Sequence, residues 1–185
     1  MSTRQSSRKV TLTRTTGETG VTVSLDLDGT GRCDVGTGVG FFDHMLDALG
    51  RHALIDLEVK ATGDSWVDDH HTVEDVGIVM GRALRQALGD KAGIRRFSDV
   101  CVAMDEALVL AAIDVSGRGE LYWELPIPAQ KVGGFDTELA REFFSGLARD
   151  GGITLHVRRL AGENSHHLIE CAFKAVARAA RGGRG

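Results

Sequence analysis

The segment His70-His71-Thr72-Val73-Glu74 occurs a second time, with the same spacing of histidines and glutamate, as His166-His167-Leu168-Ile169-Glu170. An apolar stripe and an arginine follow both copies at one constant offset: Val76 with Ala172, Met80 with Val176, and Arg82 with Arg178. Residues of metal-ligand type and core positions therefore repeat together, which chance seldom produces. The repeat predicts a tandem duplication of a unit of roughly 90 residues, with each motif near the start of a helix.

Hydrophobic periodicity predicts the elements that surround the first motif. Apolar and polar residues alternate over residues 10–12, 21–27 and 55–61, which indicates three strands. Residues 39–49 have a helical period instead. The helix that carries the first motif follows Asp68-Asp69, a natural N-cap pair.

The second half of the chain repeats this order. Strands are predicted over residues 100–104, 108–115 and 153–157, helices over 139–147 and 169–180, and residues 121–125 could add a further strand. The predicted fold class is α+β, a tandem duplication of a strand-strand-helix-strand-helix half-domain. The half-domains are residues 8–92 and 93–182, and together they form one compact domain with helices packed on antiparallel or mixed sheets.

Composition and charge limit the classes of function. The chain of 185 residues is 42% hydrophobic and 26% charged, as in a soluble globular protein. A net charge of −4 favours neither a nucleic-acid nor a membrane partner. Residues 1–9 are polar, no apolar run is long enough to span a membrane, and three scattered cysteines suit a reducing compartment. We therefore expect a cytoplasmic protein.

The repeated motif has the ligand types and the spacing of a metal site. Helical residues advance about 100° each, so His70 and His71 can each share a face with Glu74 but diverge from one another. Each helix therefore serves two metals, or one metal and a substrate contact. Imidazole and carboxylate without thiolate suit Mn, Fe or Zn, and the residues alone leave this choice open.

Each histidine also has a plainer interpretation. A single His-His pair would most often be two surface histidines, but two copies in register favour a metal site. His156 is interpreted as an exposed histidine on the polar face of a strand, and His52 as one in the turn after the first helix. His44 alone would be a histidine at the core edge; it lies beside Phe41-Phe42, much as Glu142 lies beside a second Phe-Phe pair.

The chain also contains five longer motifs: Thr-Gly-Val-Gly-Phe-Phe-Asp-His-Met-Leu-Asp (37–47), Asp-Asp-His-His-Thr-Val-Glu-Asp (68–75), Met-Asp-Glu (104–106), Ser-Gly-Arg (116–118) and Asn-Ser-His-His (164–167). These motifs resemble those of a known family, the imidazoleglycerol-phosphate dehydratases. They occur in the family's order, and the resemblance extends from about Arg8 to Arg181.

The resemblance implies a step of histidine biosynthesis, in which imidazoleglycerol phosphate loses water and becomes imidazole acetol phosphate. It also implies a pair of Mn²⁺ ions in each active site. The expected assembly is a homo-oligomer of 24 subunits with active sites at subunit interfaces. In each subunit, helices are expected to pack between two four-stranded sheets.

The resemblance assigns roles to individual residues. The metal ligands would be His44, His70, His71, Glu74, His166, His167 and Glu170, with Glu142 at a position where many members have histidine. Glu18 and Glu170 would be the catalytic acid and base, with Glu170 favoured for removal of the carbon proton. Arg96, Arg118 and Lys174 would bind the substrate phosphate, and Asp105 or Glu106 the glycerol hydroxyls. Without the resemblance, Glu18 would be interpreted as a solvated turn carboxylate, and the three basic residues as ordinary surface charge.

The C-terminus and two rival functions complete the expectations. Family members usually continue into a tail containing Ser and Lys, whereas this sequence stops at Gly185, so weaker phosphate binding is expected if the tail is absent. The rivals are another metal-assisted reaction, such as hydrolysis, and a metal-storage or structural metalloprotein. A metal-storage protein would not require Glu18 or the distant basic residues for its function.

Overall fold

A four-stranded sheet and two helices are formed by the first half of the chain. The structure is a computed structural model that describes residues 8–183. The elements are β1 (Lys9–Thr15), β2 (Thr19–Asp26), β3 (Cys33–Gly36), α1 (Gly40–Ala53), β4 (Asp56–Gly63) and α2 (His70–Leu88). The strand order is β1-β2-β4-β3, and only the β3–β4 pairing in this sheet is parallel.

The second half repeats this arrangement. Its elements are β5 (Phe97–Met104), β6 (Ala107–Asp114), β7 (Glu120–Glu124), β8 (Lys131–Val132), β9 (Phe135–Asp136), α3 (Leu139–Gly151), β10 (Thr154–Ala161) and α4 (Ser165–Gly183). The sheet order is β5-β6-β10-β7, again with one parallel pair, β10–β7. The short β8–β9 hairpin has no counterpart among the described residues of the first half.

The predicted α+β duplication with two four-stranded sheets is confirmed. Each four-stranded sheet contains one strand more than the predicted order, because β3 and β7 pair at the sheet edges. The residues of β7 had been proposed as an additional strand, whereas β3 was not predicted. The boundary between residues 92 and 93 lies between α2 and β5, and its exact place stays a prediction.

The core lies between the two sheets. Alternate residues of the inner strands are buried, such as Val21 and Val23 of β2 and Val109 and Ala111 of β6, since strand side chains alternate between faces. Helices α1 and α2 pack on the first sheet, and α3 and α4 pack on the second. None of the helices in residues 8–183 is both long and apolar enough to cross a membrane.

The helices join the halves in crossed pairs, α1 with α4 and α2 with α3. The backbones of α2 and α3 touch: a Cβ atom added at Gly77 would collide with the carbonyl oxygen of Phe143, and one at Gly81 would lie 2.8 Å from that of Leu147. Phe143 also contacts Phe42 of α1, at 5.3 Å between ring centroids. This packing brings the first turns of helices from different halves together.

Candidate metal centre and active site

Two polar residues where α4 begins fix the position of the second motif. Asn164 Oδ1 accepts a hydrogen bond from the His167 backbone N–H at 3.1 Å, as expected of an N-cap side chain. Ser165 is buried, and its Oγ accepts from the Ala129 N–H at 2.9 Å. His166 and His167 therefore project from a helix turn held on both sides.

His44, His166 and Glu170 form a group that could hold a metal ion. Each offers one ligand atom, and these atoms all lie within 4.8 Å of one another. His166 Nε2 is 3.0 Å from Glu170 Oε2, one helical turn away, and His44 Nε2 is 3.4 Å from the same oxygen. The α1–α4 packing brings His44 to this place, so the group draws on both halves of the chain. Two imidazoles and a carboxylate suit Mn, Fe or Zn.

Glu170 is buried at 7% exposure, yet it is held ionised. Burial by itself would raise the pKa of this carboxyl. Hydrogen bonds from Lys174 and His166 outweigh burial, and the pKa is lowered overall. Lys174 Nζ lies 2.7 Å from Glu170 Oε1. The group therefore contains a negative charge, as a cation site requires.

The first motif repeats the ring geometry of the second. The ring centroids of His70 and His71 are 6.1 Å apart at an interplanar angle of 90°, and those of His166 and His167 are 6.1 Å apart at 79°. His70 Nε2 is 3.9 Å from Glu74 Oε2. The divergence of adjacent histidines, predicted from helix geometry, is therefore present in both copies.

The cap of α2 differs from the prediction in one respect. Asp69 occupies the N-cap position but makes no side-chain capping bond. Asp68 Oδ1 instead accepts from the His70 N–H at 2.8 Å, so the residue one position earlier satisfies a free donor of the first turn.

The second histidine of each motif has a carboxylate partner. His71 Nδ1 lies 2.9 Å from Asp64 Oδ2, and His167 Nδ1 lies 2.8 Å from Glu106 Oε2. These hydrogen bonds raise the pKa of both histidines. The pKa of Glu106 falls to about 2, because it accepts from His167 and from the backbone N–H of Asn164. The Nδ1 atoms of His71 and His167 are therefore both hydrogen-bonded to a carboxylate.

The comparisons with known proteins agree on one family. The sequence pattern of the family described as imidazoleglycerol-phosphate dehydratase matches residues 37–180. The chain is 64% identical over 174 residues to the imidazoleglycerol-phosphate dehydratase of Paracoccus denitrificans (strain Pd 1222), which covers 94% of this chain and 89% of that protein. The corresponding protein of Cereibacter sphaeroides (strain KD131 / KCTC 12085) is 62% identical with the same coverage. The chain belongs to the imidazoleglycerol-phosphate dehydratase family.

Solved structures give the same result. The dehydratase of Staphylococcus aureus subsp. aureus N315 superposes with a TM-score of 0.87 at 36% identity, covering 95% of this chain and 98% of that one. That of Pyrococcus furiosus, in complex with (S)-C348, has a TM-score of 0.83 at 36% identity, covering 94% and 93%. The predicted family is confirmed, and membership makes the chain a hydro-lyase enzyme of histidine biosynthesis.

Three of the eight predicted ligands, His44, His166 and Glu170, come together in a single chain of this dehydratase-family protein. Within residues 8–183 they are the one group of three or more such donors. The other five predicted ligands are His70, His71, Glu74, Glu142 and His167. Glu142 lies in the first turn of α3, where its Oε1 is 3.3 Å from Nη1 of Arg141. Its coordination of a metal stays a prediction.

Glu18 lies exposed in the turn between β1 and β2. Its backbone N–H donates to Thr16 Oγ1 at 3.2 Å, but its carboxylate makes no hydrogen bond or ion pair within the described part of the chain. It is close enough to His71 to contribute to the raised pKa of that histidine, after the larger effect of Asp64. The predicted acid/base glutamate is therefore a free carboxylate beside the first motif.

The predicted phosphate ligands form two groups. Arg96 Nε lies 2.7 Å from Asp114 Oδ1, and Arg118 Nη2 lies 3.4 Å from Asp114 Oδ2. The hydrogen bond from Arg96 lowers the pKa of Asp114. Lys174 instead pairs with Glu170. Asp105 is exposed, and its Oδ2 is 3.6 Å from His167 Nε2.

The two histidines predicted to be unrelated to the site lie outside the candidate metal group. His156 is exposed on β10, as predicted, and stacks on Tyr122 at 4.4 Å between ring centroids. His52 was placed in a turn, which is wrong: it is half-buried within α1, because that helix continues to Ala53.

Asp64 is the site residue that the sequence prediction missed. A loop separates Asp64 from His71 in the sequence. The distance between two side chains that are joined by a loop cannot be inferred from the number of residues between them. The signal that could have identified it is an acidic residue after a strand, close before a pair of candidate ligands, because metal-bound histidines usually donate to a carboxylate.

Proposed function

We propose that the protein removes water from imidazoleglycerol phosphate to give imidazole acetol phosphate, with Mn²⁺ as the metal. The group of His44, His166 and Glu170 carries this proposal. Two imidazoles and an ionised carboxylate from different halves of the chain converge there. A storage protein would need such donors, but it would not need a free carboxylate such as Glu18 or the arginines at Asp114.

The donor set fits an octahedral ion that leaves positions open for substrate. When bound, Mn²⁺ would stabilise the negative charge that develops on the substrate imidazole as the adjacent carbon loses its proton. His44, His166 and Glu170 would contribute to one metal position, and His70, His71 and Glu74 belong to the motif of the other half.

We propose that subunit interfaces complete the active sites, in a homo-oligomer of 24 subunits. The support is the incomplete grouping within one chain, where five of the eight predicted ligands lie outside the His44 group. A subunit that offers ligands on separate surfaces can fill its coordination positions with those of a neighbour. The cytoplasm, where this biosynthetic substrate would be available, is the proposed location.

Two glutamates are proposed to move protons. Glu170 is held ionised by Lys174 and His166, so it can accept the carbon proton at neutral pH. Glu18 is exposed and unpaired in residues 8–183, so it can take up a proton from solvent and pass it to the departing hydroxyl, which leaves as water. This division of roles assigns Glu170 to deprotonation and Glu18 to loss of water.

Cationic side chains are proposed to bind the phosphate. Arg96 and Arg118 converge on Asp114, which orients both guanidinium groups from one side. Guanidinium donors suit phosphate oxygens. Lys174 lies next to Glu170, where it can reach a substrate held at the metals. Asp105, exposed beside His167, is proposed to accept a hydrogen bond from a glycerol hydroxyl.

The assay for this function measures a ketone product. Purified protein is incubated with imidazoleglycerol phosphate and Mn²⁺, before and after chelation, and native mass spectrometry records the assembly. Product formation that chelation abolishes and Mn²⁺ restores is expected. Absence of product from assembled protein with Mn²⁺ present would contradict the proposal, and turnover of an ester or amide instead would favour the hydrolase.

Solvent exchange separates the two glutamates. In D₂O, the Glu18→Gln variant should lose turnover while still exchanging the carbon proton, because Glu170 remains. The Glu170→Gln variant should lose both. Loss of exchange in Glu18→Gln, with metal content unchanged, would reverse the two roles.

A further inference from the structure

The hairpin turns of the two halves are equivalent, and this equivalence can be read from the strand register. The pairs Lys9–Asp26 and Thr15–Gly20 in the first sheet correspond, at one constant offset, to Phe97–Asp114 and Ala103–Leu108 in the second. At the same offset, Glu18 of the first turn corresponds to Glu106 of the second turn. These two glutamates therefore occupy equivalent positions in the two hairpin turns.

The equivalent glutamates have different contacts. Glu106 accepts from His167 Nδ1 at 2.8 Å and from the backbone N–H of Asn164 at 2.9 Å. Glu18 makes no side-chain hydrogen bond or ion pair within residues 8–183. In the first half Asp64, from the loop after β4, takes the equivalent place beside His71 at 2.9 Å.

Both carboxylates fix the same atom of the imidazole ring. An ionised carboxylate can only accept, so each Nδ1 carries the hydrogen of its hydrogen bond. A neutral ring protonated at Nδ1 has its lone pair at Nε2, which is the atom then free to bind a metal. The same tautomer thus results in both halves, from carboxylates at positions that are not equivalent.

The two carboxylates are held in place by different contacts. Asp64 is 6% exposed, and its Oδ1 has no hydrogen-bond partner among the described residues, so His71 is its side-chain partner there. Gly63 places the end of β4 directly against α2, because a Cβ atom at Gly63 would collide with Thr72 Oγ1. Glu106 is exposed but is held by the Asn164 N–H.

We propose that Asp64 and Glu106 are positioning residues that aim Nε2 of His71 and His167 at the metals, and that Asp64 has released Glu18 from this task. This inference rests on the proposed function, since it takes both histidines as Mn²⁺ ligands. It explains why one turn glutamate is free to move a proton whereas its counterpart is fixed. Of the two equivalent turn residues, Glu106 therefore orients a histidine, whereas the carboxylate of Glu18 can take part in proton transfer.

Mn²⁺ affinity of the assembled protein tests this inference independently of turnover. Free Mn²⁺ is titrated by electron paramagnetic resonance in the wild-type protein and in Glu106→Gln, Glu106→Ala and Asp64→Asn. We expect each variant to weaken part of the Mn²⁺ binding by about 10- to 100-fold, as for other residues that orient metal-bound histidines. Glu106→Ala should bind Mn²⁺ more weakly than Glu106→Gln, because the glutamine side chain retains an acceptor oxygen.

Two control variants distinguish a positioning role from the general effect of removing a negative charge near the metals. Glu163→Gln removes an exposed carboxylate near Glu106 and should leave the Mn²⁺ affinity unchanged. Glu18→Gln changes the equivalent turn residue and should also leave this affinity unchanged, although it reduces turnover. The unfolding midpoints of the metal-free proteins show whether each variant folds. If Asp64→Asn does not fold, the exposed Glu106 variants decide the question.

The outcomes distinguish this inference from the proposed function. A wild-type protein that binds Mn²⁺, together with folded Glu106 variants of unchanged affinity, would overturn the positioning role and leave the dehydratase intact. Equal weakening by Glu18→Gln and Glu106→Gln would contradict the divergence of the two turns. Absence of Mn²⁺ binding by the wild-type protein would contradict both proposals.

Discussion

Lys174 follows Glu170 by one turn of α4, and its Nζ donates a hydrogen bond to Glu170 Oε1 at 2.7 Å. The other oxygen of Glu170 faces His166 and His44, so the lysine balances the charge without contacting the oxygen that faces the candidate metal position. A buried carboxylate that loses such a partner becomes costly to keep ionised. The pair therefore prepares an anionic ligand before any cation is present.

Removal of this lysine should affect the metal-free protein most. We expect Lys174→Met to lower the free energy of unfolding by about 1–3 kcal/mol, because Glu170 Oε1 loses its donor while the aliphatic stem is largely retained. Excess Mn²⁺ should then raise the Tm of the variant by more than that of the wild-type protein, because the bound cation compensates for the missing charge. Calorimetry with and without Mn²⁺ measures both effects.

Lys174→Arg is the matched control, since it retains a cationic donor at this position. Its response to Mn²⁺ should resemble that of the wild-type protein. Equal increases in Tm for all three proteins would mean that Glu170 does not contact the metal.

The parts of the fold that could be predicted are those with a local pattern. The alternation of β2 and β4 and the apolar stripes of α2 and α4 are visible in the sequence because each side chain's burial follows its own backbone period. The duplication reinforced them, since the same stripe occurs twice.

The parts that could not be predicted depend on contacts between distant segments. Strand β3 is short, and parallel pairing with β4 defines it. The apolar period predicts helix α1 over residues 39–49 only. The helix continues through Gly50 to Ala53, and a Cβ atom at Gly50 would collide with Cys33 Sγ of β3. The close approach of this helix to β3 therefore depends on a contact between distant segments.

The candidate site divides in the same way. Helix spacing was sufficient to place His166 and Glu170 on one face. The approach of His44 to Glu170 depends on how α1 packs on α4, and that of Asp64 to His71 depends on a loop. Neither distance follows from local sequence.

The close contact between α2 and α3 gives a second prediction. We expect Gly77→Ala to lower the free energy of unfolding by about 1–3 kcal/mol, because the added methyl group collides with the Phe143 carbonyl oxygen and the two helices must separate. Gly151→Ala is the control in the same helix pair: its Cβ atom would lie 3.6 Å from the Gly81 oxygen, an ordinary contact. Urea denaturation should find Gly151→Ala close to the wild-type protein. A Gly77→Ala variant of wild-type stability would show that the helix pair can adjust.

Asp56 gives a prediction on pH. Its Oδ1 accepts from the backbone N–H of Thr30 at 2.8 Å and of Arg32 at 3.0 Å, and these bonds lower its pKa to about 2. A carboxyl whose pKa is lowered on folding stabilises the protein above its unfolded pKa, near 3.8. That contribution is lost as the pH falls from about 4 towards 2.

The Asp56→Asn variant should therefore differ most from the wild-type protein at neutral pH. We expect a lower urea midpoint at pH 7 and a difference that shrinks as the pH approaches 2. Asp99→Asn is the control, because Asp99 is exposed on β5 and makes no side-chain hydrogen bond in residues 8–183. A midpoint difference that stays constant down to pH 2 would mean that the ionised form of Asp56 does not stabilise this loop.

Glu142 provides the last prediction, which concerns the metal itself. It lies in the first turn of α3 with a neighbouring arginine, Arg141, at 3.3 Å. If Glu142 is a metal ligand at the interface between subunits, Glu142→Ala should reduce the Mn²⁺ content of the assembled protein, whereas Glu142→His should retain it because imidazole is also a competent ligand. The histidine variant should bind Zn²⁺ more tightly relative to Mn²⁺, since nitrogen ligands suit Zn²⁺ better than a carboxylate does. Metal analysis of both variants after dialysis, together with native mass spectrometry, separates loss of a ligand from loss of assembly. Unchanged metal content in an assembled Glu142→Ala protein would remove Glu142 from the ligand set and leave only the histidines, Glu74 and Glu170.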